Sequence, residues 1–174
     1  MFAWLSVSVS NAAFSEVYGK QALIDLWCRM PCTERLEREG TLMRVLIADD
    51  NERVRRGVRD FLLAQPNFEV CGEARDGAEA IEKARELLPD LILLDISMPG
   101  LSGFEAASVL RREVPGVKIL IMSQNDPVQL WPAAREAGAH ACVDKSRIYT
   151  DLLPAMMNTV ESVNNPPDER ADAD

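Results

Sequence analysis

Four places in this chain of 174 residues end an apolar run in a group that could do chemistry. Met43 to Asp50 reads MRVLIADD, where Val45 to Ala48 lead into the carboxylates Asp49 and Asp50. Leu91 to Gly103 reads LILLDISMPGLSG, where Leu91 to Leu94 lead into Asp95. The run from Val117 to Met122 stops at Ser123, and Ala141 to Val143 stop at Asp144-Lys145. Short apolar runs bounded by turn residues read as strands buried on both faces, the strands of parallel sheets, whose carboxyl ends bind ligands. Adjacent strands would bring three carboxylates to one edge. Such anions repel, and at least one holds a proton unless a cation intervenes. Magnesium, a hard ion that takes one or two carboxylates and keeps several waters, fits that edge. With a hydroxyl and an ammonium beside it, the edge can hold a phosphoryl group.

The elements that must position these residues alternate from Met43 onward, the pattern of a doubly wound α/β sheet. A helix is expected from Glu52 to Ala64, with Val54, Val58, Phe61 and Leu62 on one face. Pro66-Asn67 ends it, and Phe68 to Gly72 reads as a strand. Asp76-Gly77 turns into a helix to Leu88, with Ala80, Ile81, Ala84, Leu87 and Leu88 inward. The Asp95 strand is followed by a helix from Gly103 to Glu113, stopped by Pro115-Gly116. A helix over Val128–Ala137 contains Pro132, which kinks it unless it lies in the first turn. His140 to Asp144 reads as the fifth strand. The last helix, Ile148 to Ser162, carries an inward stripe of Leu152, Leu153, Met156, Met157 and Val160, with Pro154 tolerable only near its start.

Composition narrows the function classes. Hydrophobic content of 47% and charged content of 27% are those of a soluble globular protein. A formal charge of −9 argues against nucleic acid or an anionic membrane as a direct partner, since both need a positive surface. No apolar run reaches the ~20 residues of a membrane span, and no Lys or Arg precedes the mildly apolar start. Cys71 and Cys142 fall inside expected strands as small core residues, and Cys28-Cys32 lacks the partners of a zinc site. A reduced, cytoplasmic chain is the simplest account.

The ordered set Asp49-Asp50, Asp95 with Met98-Pro99-Gly100, Ser123 and Lys145 resembles the CheY-like receiver domain of two-component response regulators. The stretches LILLDISMPGLSGFEA, REAGAHACVDKS and DLLPA are most similar to NarL/LuxR-type receivers. The resemblance implies a flavodoxin-like fold, a five-stranded parallel sheet in the order 2-1-3-4-5 with five helices. It divides the chain into an N-terminal extension, 1–42, expected to be poorly ordered, a receiver over 43–162 and an acidic, disordered tail over 163–174. No helix-turn-helix output domain follows in the sequence, so the expectation is a stand-alone receiver without direct DNA contact.

By the same resemblance, Asp95 is the phosphorylated nucleophile, and a sensor histidine kinase or histidine phosphotransfer protein is the donor. Mg²⁺ is held by Asp50, Asp95 and the Ser97 backbone carbonyl, with Asp49 bound directly or through water. Ser123 and Lys145 contact the phosphoryl group, and the modification biases a surface read by a downstream protein partner or used in homodimerisation. The switch aromatic usual three residues before Lys145 is replaced by Cys142, which puts that part of the switch in doubt. Such a protein is not an enzyme beyond catalysing its own phosphorylation and dephosphorylation. The bland readings are that Asp49 and Asp50 cap the first helix, that Ser123 is a strand-end hydroxyl and that Lys145 is solvated. Two rival functions are a pseudo-receiver that signals without phosphate and, more distantly, a phosphatase of the haloacid dehalogenase type, whose DxDx(T/V) pattern this chain lacks.

Overall fold

The computed structural model describes residues 42–164, with side chains described through 159. The extension up to residue 41, the Cys28-Cys32 pair, the acidic tail from 165 on and the Val160 side chain lie outside the described residues. Five parallel strands form one sheet: β1 (Met43–Ala48), β2 (Phe68–Ala74), β3 (Leu91–Asp95), β4 (Lys118–Ser123) and β5 (Ala141–Asp144). Their order, β2-β1-β3-β4-β5, is the one expected. Between and after them run α1 (Glu52–Leu63), α2 (Gly77–Leu87), α3 (Gly103–Glu113), α4 (Pro127–Glu136) and α5 (Ile148–Asn164), the last entered through a 3-10 turn at Lys145–Arg147.

Strand alternation divides the core in two. Leu46, Ala48, Ile92, Leu94, Ile119 and Ile121 pack against α2, α3 and α4, whereas Val45, Ile47, Leu91, Leu93, Leu120 and Met122 pack against α1 and α5. Every residue of β3 is buried, which explains why its sequence reads as a continuous apolar run and not an alternating one. The helices start where side chains satisfy their free N–H groups. Asn51, Asp76, Ser102 and Asp126 each accept a backbone N–H, and Ser102 forms a reciprocal capping box with Glu105. Leu88 ends α2 in the left-handed region, φ 47°, a conformation costly for a residue with a Cβ.

One rival reading and three expectations need correction. The Asp49 and Asp50 side chains do not cap α1; Asn51 does, accepting from the Arg53 N–H at 3.0 Å. Met157 is 43% exposed, so the inward stripe of α5 narrows to Leu152 and Met156 with Leu153 partly buried. The fifth strand begins at Ala141, one residue later than expected. Both helix prolines lie past the first turn, Pro132 in the sixth position of α4 and Pro154 in the seventh of α5. At Pro132 the lost bond is the one to the Val128 carbonyl, and Val128 is 79% exposed, so water can serve that oxygen. Pro132→Ala restores the missing donor and is expected to stabilise the protein by about 1–2 kcal/mol in urea unfolding. An unchanged or lowered midpoint would count against an energetic cost at Pro132.

Candidate functional site

The register of the sheet brings the candidate residues together. Ala48 pairs with Leu94, so the next residues, Asp49 and Asp95, leave neighbouring strands side by side. Asp95 pairs with Met122 and Ser123 with Asp144, which sets the ends of β4 and β5 flush with them. Oxygens of Asp49, Asp50 and Asp95 lie within 4.8 Å of one another, with Asp49 and Asp95 buried and Asp50 exposed. Lys145, at the end of β5, reaches back so that its Nζ sits 2.7 Å from Asp49 Oδ2 and 2.9 Å from Asp95 Oδ1. Its side chain is only 9% exposed. One cation therefore faces three carboxylates, an imbalance that burial makes costly.

The electrostatics follow. Burial pushes the Asp49 carboxyl above its ordinary range, although the Lys145 ammonium and the Asn51 N–H pull it back. Burial also works against the charge on Lys145, but Asp49 and Asp95 outweigh it, and the ammonium is held above its usual value. Asp49 Oδ1 accepts the Asn51 N–H at 2.9 Å. Its Oδ2 is buried and has no hydrogen bond, the Lys145 contact being an ion pair of poor hydrogen-bond direction. A buried carboxylate oxygen with lone-pair capacity left, beside two more carboxylates, is the donor set a hard divalent ion uses.

The other candidates surround this cluster. Ser123 is buried, and its Oγ accepts the Asn125 N–H at 2.9 Å. Strand alternation puts Ser123 on the face of Ile119 and Ile121, opposite to Asp95 and Lys145, so it flanks the cluster without joining the ion pairs. Ser97 is exposed in the loop after β3. Cys142 is half-buried, its thiol pushed up by burial, and it lines a shallow groove with Pro127, Val128 and Trp131. His140 takes no part in the cluster.

Two positioning residues escaped the sequence reading. A Cβ on Gly103 would stand 2.1 Å from the Asp95 carbonyl oxygen, so only glycine lets the start of α3 press on the backbone of Asp95. That approach is fixed by the Gly103 N–H donating to the Ile96 carbonyl at 3.0 Å. Arg55 donates to the Asp49 carbonyl at 2.7 Å and pairs with Glu73, tying the loop after β1 to α1 and β2. Gly103 had a signal, its place just after Ser102 in a helix-start pattern. Arg55 had none, because one arginine among several on α1 looks like any solvated charge.

Residues 45–156 match the family model described as the response regulator receiver domain. LiaR of Bacillus subtilis is 46% identical over 116 residues, which cover 66% of this chain and 54% of LiaR. VraR of Staphylococcus aureus is 36% identical over 126 residues, 71% of this chain and 60% of VraR. The chain thus spans a little over half the length of these curated relatives. Among solved structures, the receiver domain of the NarL-type regulator of Mycobacterium tuberculosis superposes with a TM-score of 0.65 at 31% identity, covering 70% of this chain and 98% of that one. A LuxR-family regulator of Aurantimonas superposes at 0.66 with 31% identity, covering 70% and 87%. A family model matched over residues 45–156 and a relative 36% identical over 71% of the chain place this protein in the response regulator receiver family, whose members signal by phosphorylation.

Proposed function

We propose that this receiver accepts a phosphoryl group on Asp95 from a phosphohistidine of a sensor kinase or phosphotransfer protein, and signals by protein contact. The observation that carries the reading is the buried Asp95 carboxylate held 2.9 Å from the Lys145 ammonium, beside two further carboxylates that need a cation. An Asp95 oxygen attacks phosphorus, a P–O bond forms, the donor's P–N bond breaks, and the imidazole keeps the electron pair. Lys145 then holds a phosphoryl oxygen with a point charge, and its ion pair with Asp49 keeps the ammonium at the site. Ser123, once its Oγ releases Asn125, can donate its hydroxyl to another phosphoryl oxygen. Asp50, Asp49, Asp95 and the Ser97 carbonyl would hold Mg²⁺. When bound, Mg²⁺ offsets negative charge on the transferring phosphoryl oxygens. The acidic balance of the chain supports output through proteins and not through DNA.

Incubation with Mg²⁺ and acetyl phosphate or phosphoramidate, followed by intact mass measurement, is expected to show one phosphoryl adduct. Neither an adduct nor a beryllofluoride complex would favour a pseudo-receiver.

Asp49 yields a separate prediction on metal and stability. Its carboxyl is raised above the ordinary 3.8, so it adds stability that is full below that value and is lost as pH rises through the folded one. At neutral pH the ionised group is therefore a cost. Asp49→Asn keeps an acceptor for the Asn51 N–H and is expected to raise the metal-free melting temperature by a few degrees, about 1 kcal/mol. It should also remove most of the Mg²⁺-dependent stabilisation, which in the wild type is about 1.4 kcal/mol at tenfold the dissociation constant. Melting curves with Mg²⁺ and with chelator measure both; a variant stabilised by Mg²⁺ as well as wild type would exclude Asp49 from the metal site.

A further inference from the structure

At the other end of the sheet, where β4 and β5 begin, a pocket of about 330 Å³ is walled by Arg111 from α3, Lys118 from β4, Arg135 from α4 and His140 before β5. Among the described residues no Asp or Glu lines it, although acidic residues outnumber basic ones 28 to 19 in the chain. Glu113, the acid nearest Arg111 on α3, is taken by Arg85, with Nε at 2.7 Å. Among the described residues neither the Arg111 nor the Arg135 guanidinium has an ion-pair partner. Two guanidiniums that line one pocket without an ion-pair partner repel one another, an arrangement that an anion relieves.

The pocket is built, not incidental. Gly138 turns the chain out of α4 with φ +98°, and a Cβ there would stand 2.5 Å from Arg111 Cδ. The missing side chain is what lets the Arg111 stem lie across the turn. His140 is pinned to β4 twice, its N–H donating to the Ile119 carbonyl at 2.7 Å and its Nδ1 accepting the Ile119 N–H at 3.2 Å. Burial first, and then the charges of Lys118 and Arg111, hold this imidazole down at about 4, so at neutral pH it is uncharged. With Nδ1 accepting, the proton of the neutral ring belongs on Nε2.

We propose that this pocket binds a compact polyvalent oxyanion, a phosphate ester or a polycarboxylate, gripped by the Arg111 and Arg135 guanidiniums with Lys118 and His140 beside them. Guanidinium forks match such oxygens in pairs, which a point charge does not. The site lies at the opposite end of β4 from Ser123 and shares no residue with the acidic cluster, so it stands or falls independently of phosphotransfer.

The test titrates the full ¹⁵N-labelled chain, free of Mg²⁺ and at constant ionic strength, with pyrophosphate and in a second arm with citrate. Saturable shifts of the Gly116, Ile119, Gly138 and His140 amides, with the Asp95 amide unmoved, are the expected result in at least one arm. Response to pyrophosphate alone identifies a phosphate ester, to citrate alone a polycarboxylate, and to both a site selective for charge. Arg135→Gln, which leaves the Arg111–Gly138 packing intact, should weaken binding about tenfold, and adding Arg111→Gln should weaken it further. Shifts that only follow ionic strength, or an affinity unchanged in Arg135→Gln and in the double variant, would overturn the site.

Discussion

Asp95→Asn is expected to abolish phosphoryl incorporation while leaving the protein folded. The amide is nearly isosteric with the carboxylate but lacks the anionic oxygen that attacks phosphorus, so the adduct seen by intact mass should vanish and not merely slow. The fold should tolerate the change because Lys145 keeps Asp49 at 2.7 Å, and because the negative charge that Asp95 exerts on Asp49 disappears. We expect a stability change within about 1 kcal/mol, with the repulsion relieved offsetting the ion pair lost. An adduct that persists in Asp95→Asn would move the acceptor elsewhere, and peptide mapping would have to ask whether Asp49 or Asp50 carries it. Loss of the adduct together with loss of the fold would say nothing about the nucleophile, so melting curves belong beside the mass measurement.

How far this site was legible depended on what each residue needs. Asp95, Asp49 and Lys145 could be placed because each ends an apolar run, and parallel strands in register bring such ends together whatever the loops do. Alternating strands and helices pointed to a parallel sheet, and the strand order itself came with the family resemblance. What resisted reading was contact made across the sequence. Nothing in RRG says that Arg55 would grip the Asp49 carbonyl, and LSG marks Gly103 as a helix start without saying that it would lie on the Asp95 backbone. The prolines misled for a related reason. The rule that Pro disturbs a helix past its first turn assumes that the freed carbonyl is stranded, and at Val128, which is exposed, solvent can reach it. Met157 misled because periodicity gives a stripe's direction but not its width, and α5 buries only the centre of its stripe.

Lys145→Met should be the most destabilising single change at this edge, and its effect should depend on pH in a way that identifies the cause. The substitution keeps most of the stem's volume and removes the only cation that pairs with Asp49 and Asp95 among the described residues. Leaving buried carboxylates without their partner costs about 3 kcal/mol at neutral pH. In the wild type, the lysine is raised above its ordinary 10.5, so its contribution is full below that value and lost as pH rises through the folded one. In the variant, the Asp49 carboxyl loses the charge that pulls it down, and its folded value climbs further above 3.8. Stability gained from its protonation is full below 3.8 and lost as pH rises through that folded value, so acid should restore part of what the substitution removes. The difference between wild type and variant, measured by urea unfolding, is therefore expected to be largest between neutrality and mild alkali. It should shrink on acidification and again above 10.5, where the wild-type ammonium itself discharges. A deficit that stayed constant across this range would mean that Lys145 acts through packing of its stem, and the ammonium would lose its place as the charge that holds the acidic edge together.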